Sequence, residues 1–270
     1  PKAAHFRFTY DREPFKDLLY ADNLSLQVGE PPKVICRGIN LDIKRGDKVA
    51  FIGQNGIGKT TLLRTLQGLQ KPASGSFRWC DHVKISYYDQ ELKTLNPDKL
   101  VIDELWDRFR FLKEVEVRSL LGSVLLTGDN VYKKVGVISG GERAKLMFAI
   151  MSLERGNVLV LDEPTNHLDM ATREVLEEAL AAYEGSIIMV SHDRYFLNRV
   201  ATRIVEMFED HVDAYEGNYD AYLARKTFLE QRALAARPAV QQVQQKAPEK
   251  QSAGNYRTKE QKQEDARRRQ

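Results

Sequence analysis

A glycine-rich turn between a strand-like segment and a helix-like segment constrains this chain more than any other feature. Residues 53–60 read GQNGIGKT, follow the apolar segment KVAFI and precede a helical pattern that runs to Leu69. Glycines let a backbone fold around phosphate groups so that successive N–H groups point inward. Lys59 adds a positive charge for the β and γ phosphates, and the Thr60 hydroxyl can bind Mg²⁺. The turn predicts a nucleotide site formed by Gly53, Gln54, Asn55, Gly56, Ile57, Gly58, Lys59, Thr60 and Thr61.

A second motif, VLVLDEP at residues 158–164, weakens the alternative of a glycine-rich turn without a ligand. Its four apolar residues predict a buried strand, and Asp162 then emerges at the carboxyl end, where α/β folds bind ligands. Asp162 fits the support of Mg²⁺, and Glu163 fits the polarisation of a water molecule against the γ-phosphate. Two surface carboxylates are the alternative, which the position directly after a strand disfavours.

Two further polar residues follow strand-like segments. His192 ends MVSH and is suited to hydrogen-bond a γ-phosphate or the attacking water. Gln90 ends KISYYDQ, and its amide can bind both Mg²⁺ and water. A histidine at a strand end is by itself more often a surface residue, and a single glutamine is not evidence of a site, so both assignments depend on the two motifs above.

The turn ISGGE at residues 138–142 opens directly into a helix-like run. Exposed backbone N–H groups and the helix dipole make such a turn able to bind an anion. It lies about eighty residues after Lys59 in the sequence. The residues alone do not identify the phosphate that this turn would contact.

The rest of the chain alternates strand-like and helix-like segments. LSLQV and KVICRGINLDI predict strands, and GSFRWCDHVKISYYDQ predicts two more that are joined by a turn at Asp81–His82. Apolar residues from Asp98 to about Leu126 have helical spacing, and Thr172 to Tyr183 is an amphipathic helix pattern between VLVLDE and SIIMVSHD. This alternation predicts βαβ units and a parallel sheet.

The charge is unevenly distributed. Of 41 Lys/Arg and 38 Asp/Glu residues, nine basic and four acidic ones lie from Arg237 onward, which leaves 32 basic and 34 acidic residues before it. A near-neutral main part excludes a domain that coats nucleic acid with charge. Apolar runs are far shorter than the roughly 20 residues of a membrane span, and no secretory signal pattern begins the sequence, so we expect a cytoplasmic protein.

Six motifs in this order resemble those of an ATP-binding cassette (ABC) ATPase: Gly53–Thr60, Gln90, ISGGE, VLVLDEP, NHLD and SHD. The resemblance covers about residues 18–225. It implies an α/β fold, that of a P-loop NTPase ABC cassette, with a parallel core sheet, an antiparallel β-subdomain and a helical subdomain. It also implies that the protein binds ATP with Mg²⁺ and hydrolyses the ATP.

The resemblance also implies a role for each motif. Lys59 and Thr60 would bind phosphate and Mg²⁺, and Gln90 would sense Mg²⁺ and water. Glu163 would be the general base, and His192 would be the γ-phosphate switch. Two ABC cassettes face each other head to tail, so one turn of each would contact the ATP of a partner cassette; here the turn is Ser139, Gly140, Gly141 and Glu142.

Several details are similar to the ABC-F branch, whose members have two cassettes on one chain, lack a membrane domain and act on ribosomes. They are EPTNHLD, SHDRYFL, and Glu142 where transporter cassettes more often have Gln. EGNYDAY resembles the segment after the second cassette, although by itself it predicts only a strand–turn–helix edge. The chain therefore resembles the C-terminal half of an ABC-F protein, either a translation factor or a factor that protects ribosomes from antibiotics.

This interpretation divides the chain into three parts. Residues 1–16 would end the linker between two cassettes, residues 17–236 would form the cassette with a helical subdomain at about 97–150, and residues 237–270 would be a basic, flexible extension. The partners would be the ribosome with its rRNA and a second cassette, from the N-terminal half of the same protein or from a second copy. The extension either contacts rRNA phosphates or is a solvated end.

One position departs from the family pattern. Val28 stands where an aromatic side chain usually stacks on adenine. An aliphatic side chain at this position predicts weaker binding of the adenine ring and less discrimination between ATP and GTP.

Two other functions remain open at this stage. The chain could be the ATPase subunit of an ABC membrane transporter, which NHLD and Glu142 disfavour. It could also be a module that binds nucleotide without using turnover, which the presence of Glu163 and His192 disfavours.

Overall fold

The computed structural model describes residues 6–235 and contains nine strands and seven α-helices in that range. The strands are β1 (Asp17–Val28), β2 (Lys33–Lys44), β3 (Lys48–Gly53), β4 (Ser74–Trp79), β5 (Ile85–Tyr88), β6 (Val158–Asp162), β7 (Ser186–Val190), β8 (Arg203–Met207) and β9 (Val212–Glu216). The helices are α1 (Lys59–Leu66), α2 (Val101–Arg108), α3 (Glu114–Ser123), α4 (Gly140–Glu154), α5 (Met170–Ala182), α6 (Arg194–Val200) and α7 (Tyr219–Ala235). The predicted basic extension, residues 237–270, lies outside the described range.

A six-stranded sheet with the order β5-β6-β7-β3-β8-β9 forms the centre of the cassette. Its first five strands are parallel, and β9 pairs antiparallel with β8 at one edge. β6 and β7 are buried along their whole length, as expected for parallel strands that are covered on both faces. The predicted parallel core sheet is therefore confirmed, with one antiparallel strand added at its edge.

The register of this sheet aligns the carboxyl ends of three neighbouring strands. Val190 at the end of β7 pairs with Asp162 of β6 on one side and with Phe51 of β3 on the other. The loops that follow these strands therefore start side by side at one edge of the sheet. This is the edge at which open α/β sheets bind ligands.

A second sheet has the order β2-β1-β4, and its strands pair antiparallel. Its apolar face, with Leu24, Leu26 and Ile39, packs into one buried cluster with Phe51 of β3 and Leu62 of α1. This confirms the predicted antiparallel β-subdomain. Burial of these side chains places β1 and β2 beside the start of α1.

The predicted helical pattern from Asp98 to about Leu126 divides into two helices, α2 and α3. The Trp106 indole N–H donates to the carbonyl of Leu112 at 2.8 Å and fixes the turn between them. The Lys113 N–H then donates to the Glu116 carboxylate at 2.7 Å and caps α3. Apolar periodicity did not show this break because residues on both helices pack into the same core.

The residues before β1 pack against the cassette. Phe6 and Phe8 are buried, and the rings of Phe8 and Tyr10 meet the Tyr183 ring edge to face, with centroids 6.2 and 6.0 Å apart. Aromatic pairs in this geometry stabilise by about 0.5–1.5 kcal/mol each beyond their burial. The assignment of residues 1–16 to a linker stays a prediction.

The chain divides into a unit that extends to Lys226 and a second unit that begins at Thr227, of which residues 227–235 are described and helical. Within the first unit, EGNYDAY forms the expected strand–turn–helix edge, since β9 ends at Glu216 and α7 starts at Tyr219. None of the helices within residues 6–235 combines the length and the apolar character needed to cross a membrane.

A buried asparagine ties three segments of the first unit together. Asn157 is 2% exposed, and its side-chain N–H groups donate to the carbonyls of Arg12 and His82 at 2.8 and 2.7 Å. Its carbonyl oxygen accepts from the Lys84 N–H at 2.8 Å. The Asn157 side chain therefore serves three backbone groups, the carbonyls of Arg12 and His82 and the N–H of Lys84.

We expect Asn157→Ala to lower the free energy of unfolding by roughly 2–3 kcal/mol, because it removes three partly buried hydrogen bonds that join separate segments. Urea denaturation measures this change. Asn40→Ala is the matched control, since Asn40 also accepts a backbone N–H, from Asn23 at 2.9 Å, but is exposed. Equal losses in the two variants would contradict the assigned role of Asn157.

Candidate functional site

A cleft of about 480 Å³ opens at the carboxyl ends of β3, β6 and β7, and we refer to it as the strand-end cleft. It is lined by Val28, Ile35, Asn55, Gly56, Gly58, Lys59, Thr60, Thr61, Gln90, Asp162, Glu163, Asn166, Val190 and His192. The structure thus brings together residues from five of the six sequence motifs, all except ISGGE. They are separated by up to about 135 residues along the chain.

The glycine-rich turn forms one wall of this cleft and leads into α1. Gly58 precedes α1 with φ of +107°, and a Cβ there would lie 2.7 Å from the Ile35 side chain. Only glycine fits both the backbone conformation and this close approach. The free N–H groups at the start of α1 consequently face the cleft, where they can bind phosphate.

Lys59 is positioned by the carbonyls of its own turn. Its ammonium group donates to the carbonyls of Gly53 and Gln54 at 2.9 and 3.0 Å, and the residue is 8% exposed. Burial lowers the pKa of Lys59. Gly53 and Gln54 themselves line a neighbouring cavity, and Ile57 packs into the apolar cluster, so these three predicted residues support the cleft without lining it.

The oxygen atoms at the bottom of the cleft suit Mg²⁺. The Thr60 hydroxyl donates to Asp162 Oδ1 at 3.3 Å, whereas Asp162 Oδ2 is buried without a hydrogen-bond partner among the described residues. Burial raises the pKa of Asp162. Mg²⁺ in nucleotide sites is held by one or two carboxylates together with hydroxyls, waters and phosphates. Asp162, Thr60 and the exposed rim residue Gln90 fit this donor set.

Glu163 directly follows β6 and His192 follows β7, and their side chains face each other in the cleft. Glu163 is 8% exposed, and its carboxylate lies 3.3 Å from both the backbone N–H and the Nε2 of His192. Burial is the main reason that the pKa of Glu163 rises to about 7. Burial, and then the charge of Lys59, lowers the pKa of His192, so the imidazole is neutral at physiological pH.

The backbone holds Glu163 in an unusual conformation. Its φ is +51°, which a side-chain-bearing residue rarely adopts, and its N–H donates to the carbonyl of Val190 at 2.9 Å. Such strain persists only where the surroundings enforce it, and it is common at functional sites. Here it aims the carboxylate into the cleft.

The turn at Ser139–Glu142 does not line the strand-end cleft. Ser139 caps α4, and its hydroxyl accepts from the Glu142 N–H at 3.2 Å. Gly141 approaches the loop after β6 so closely that a Cβ would lie 2.7 Å from the His167 carbonyl oxygen. The loop after β6, which carries Glu163 and His167, therefore packs against this turn within the same chain.

Sequence reasoning missed three residues that line the cleft: Ile35, Asn166 and Val190. Asn166 lies in NHLD, three residues after Glu163, and its place after a strand end was an available signal. The sequence contains no such signal for Ile35, because this residue reaches the cleft only through the packing of β2 beside α1. Val28, expected at the nucleobase, does line the cleft.

We expect Asp162→Asn to raise the free energy of unfolding of the ligand-free protein by about 1 kcal/mol, because it removes a buried charge with an unpartnered oxygen. The same change should reduce the rise in melting temperature on addition of ATP and Mg²⁺. Melting curves with and without ligand measure both effects, and the exposed Asp98→Asn is the control. A ligand-free protein that becomes less stable would contradict this account of Asp162.

Comparisons with known proteins agree with this geometry. A family model described as ABC transporter matches residues 36–166. The ATP-binding protein YdiF of Bacillus subtilis is 43% identical over 226 residues, which cover 84% of this chain and 35% of YdiF. ABC transporter F family member 5 of Arabidopsis thaliana is 37% identical over 74% of this chain and 29% of its own length. The energy-dependent translational throttle protein EttA of Mycobacterium tuberculosis is 36% identical over 74% of this chain and 38% of its own length.

The fold also matches solved structures. The ATP-binding cassette MJ0796, solved as a dimer with ADP and Pi in a post-hydrolysis state, superposes with a TM-score of 0.64 over 74% of this chain and 98% of MJ0796, at 21% identity. The chain spans about a third of the length of the curated relatives it matches. The strand-end cleft, the fold and these similarities lead to one conclusion. The chain contains an ATP-binding cassette of the ABC family of ATPases.

Proposed function

We propose that this cassette binds ATP with Mg²⁺ in the strand-end cleft and hydrolyses the ATP when a second cassette completes the site. We further propose that this cycle drives the binding of the whole protein to the ribosome and its release. The observation that carries the proposal is the placement of Glu163 and His192 opposite Lys59 in one cleft, with the anion-binding turn at Ser139 outside it.

In this proposal, separate residues of the cleft bind the phosphates, hold Mg²⁺ and transfer protons. The start of α1 and Lys59 bind the phosphates, and Lys59 exchanges carbonyl partners of its own turn for phosphate oxygens. Asp162, Thr60 and Gln90 would hold Mg²⁺, which when bound neutralises charge on the phosphate oxygens. Glu163, with a pKa of about 7, accepts a proton from the attacking water, and neutral His192 donates from Nε2 to the γ-phosphate.

The completion of the site by a partner follows from the location of the Ser139–Glu142 turn. This turn offers free N–H groups at the start of the 15-residue helix α4, yet does not line the cleft of its own chain. A head-to-tail pair would place it over the nucleotide of the second cassette. That the similar cassette MJ0796 was solved as a dimer supports this arrangement. The second cassette is the N-terminal half of the same protein or a second copy of this chain.

The ribosomal role rests on sequence similarity. The motifs EPTNHLD and SHDRYFL resemble the ABC-F branch, one relative is named as an F family member, and another is named as a translational throttle. The proposal therefore includes a cytoplasmic location, a linker end at residues 1–16, this cassette at residues 17–236 as the C-terminal one of two, and a basic extension at residues 237–270 that contacts rRNA. The protein acts in translation directly or protects ribosomes from antibiotics.

To test the ribosomal cycle, we would change Glu163→Gln, together with the equivalent glutamate of the second cassette, in the protein at its natural length. The amide keeps the shape of Glu163 but accepts no proton, so we expect turnover to fall at least about a hundredfold while ATP binding persists. Co-sedimentation should then show the variant retained on ribosomes in ATP and not in ADP. Glu178→Gln, an exposed change on α5, is the matched control.

The other outcomes decide between the remaining functions. Retained turnover in Glu163→Gln would contradict the catalytic role and favour a module that only binds nucleotide. If Glu163→Gln retains ATP but does not bind ribosomes, the proposed ATPase activity stands and the proposed ribosomal step is contradicted. Co-purification with a membrane protein in that case would support a transporter subunit.

Nucleobase preference gives an independent test of the cleft. Val28 and Ile35 are the aliphatic residues that β1 and β2 contribute to its rim. We expect Val28→Tyr to tighten ATP binding about three- to tenfold through stacking, which contributes on the order of 1 kcal/mol, and to favour ATP over GTP. Fluorescent-nucleotide titration measures both affinities, and unchanged affinities would place the base elsewhere. Val115→Tyr, at an exposed site outside the cleft, is the control.

A further inference from the structure

The Glu142 side chain folds back over the Ser139–Glu142 turn and accepts a hydrogen bond from the Ser139 hydroxyl. The hydroxyl donates to Glu142 Oε2 at 2.9 Å, and the Ser139 backbone N–H donates to the same oxygen at 2.8 Å. The Ser139 oxygen in turn accepts from the Glu142 N–H at 3.2 Å. Both the donor and an acceptor of this hydroxyl are therefore used within the chain.

The second oxygen of Glu142 has a partner whose orientation is chemically fixed. Asn130 donates its amide N–H to Glu142 Oε1, and the Asn130 carbonyl oxygen accepts from Lys133 at 2.7 Å. Because a lysine ammonium only donates, the Asn130 oxygen must face Lys133 and the amide N–H group must face Glu142. The residue at position 142 consequently needs acceptors on both terminal atoms, which a carboxylate provides.

The ionised form of Glu142 is favoured by these contacts. The Ser139 N–H above all lowers the pKa of Glu142, so the carboxylate carries its charge at neutral pH. A phosphate oxygen at neutral pH only accepts hydrogen bonds. The Ser139 hydroxyl can thus donate to a phosphate only after it leaves Glu142, since it has a single proton.

We propose that Glu142 is a positioning residue that restrains the Ser139 hydroxyl and destabilises the closed pair of cassettes, so that the pair opens quickly. This rests on the proposed function, in which Ser139 contacts the partner's nucleotide. One hydrogen bond of 2.9 Å joins Glu142 to Ser139, and a second of ~2.7 Å would join Ser139 to phosphate. Closure therefore brings a carboxylate to within about 6 Å of a phosphate, where like charges repel.

The substitution Glu142→Gln removes the negative charge and keeps nearly the same side-chain shape. Its carbonyl oxygen can face Asn130 as Oε1 does, and its amide N–H group can donate to the Ser139 oxygen. The Ser139 hydroxyl proton is then free for a phosphate, and the negative charge is gone. The cost is that the Ser139 backbone N–H loses its acceptor and faces the N–H group of the glutamine instead.

The experiment measures how fast the closed state releases labelled ATP. In the Glu163→Gln protein at its natural length, complexes formed with ATP and Mg²⁺ are chased with unlabelled ATP, with and without Glu142→Gln. We expect Glu142→Gln to slow release about tenfold at low salt, and the difference to shrink as salt screens the repulsion. Circular dichroism melts check that each variant is folded.

Asn130→Ala is the matched control, because it loosens the same turn but leaves the charge and the Ser139 contact in place. A role limited to the stability of the turn predicts that both variants change release in the same direction. The proposal predicts slower release in Glu142→Gln alone. Should Glu142→Gln not fold, Glu142→Asp keeps the charge with a shorter side chain, and slower release in that variant would overturn the proposal.

The outcomes separate this proposal from the one on which it rests. Trapping of ATP by Glu163→Gln, with equal release from Glu142→Gln at all salt concentrations, would overturn the role of Glu142 and leave the composite site standing. Failure of Glu163→Gln to retain ATP at all would overturn both.

Discussion

The hydrogen-bonded register of β3, β7 and β6 is the constraint on which the rest of this cassette depends. Val190 pairs with Phe51 on one side and with Asp162 on the other, so three loops start from adjacent positions. A shift of one residue in either pairing would exchange side chains between the two packed faces of the sheet and move the carboxylates relative to the glycine-rich turn. Complete burial of β6 and β7 prevents such a shift.

Burial at these strand ends shifts the pKa values of the charged groups in the cleft. Lys59, Asp162 and Glu163 are each less than 9% exposed. Desolvation lowers the pKa of Lys59 and raises the pKa values of both carboxyl groups. The same desolvation costs stability, which the large apolar clusters on both faces of the sheet offset. A nucleotide with its cation would add charges of both signs and so stabilise the cleft.

The cassette separates the start of α1 from the start of α4. α1 starts in the cleft, whereas α4 starts at Ser139, which does not line it, although the loop after β6 contacts both regions. His167, in that loop, has φ of +64° and lies against Gly141, while Glu163, four residues earlier, faces His192. A movement of this loop would consequently shift residues both at the cleft and at the Ser139–Glu142 turn.

Local sequence patterns were enough to predict the type of fold and most of the residues that line the cleft. Glycine spacing, the apolar strand before Asp162, and the order of the motifs are local features, and local patterns of this kind predict a phosphate-binding turn and parallel strands. The tertiary structure decided the rest, because packing between distant segments leaves no local pattern. It brought Ile35 to the cleft, divided the helix-like stretch after Asp98 between Arg108 and Glu114, and turned Glu142 back onto Ser139. Periodicity is a property of neighbours along the chain, whereas burial and hydrogen-bond partners are properties of the folded whole.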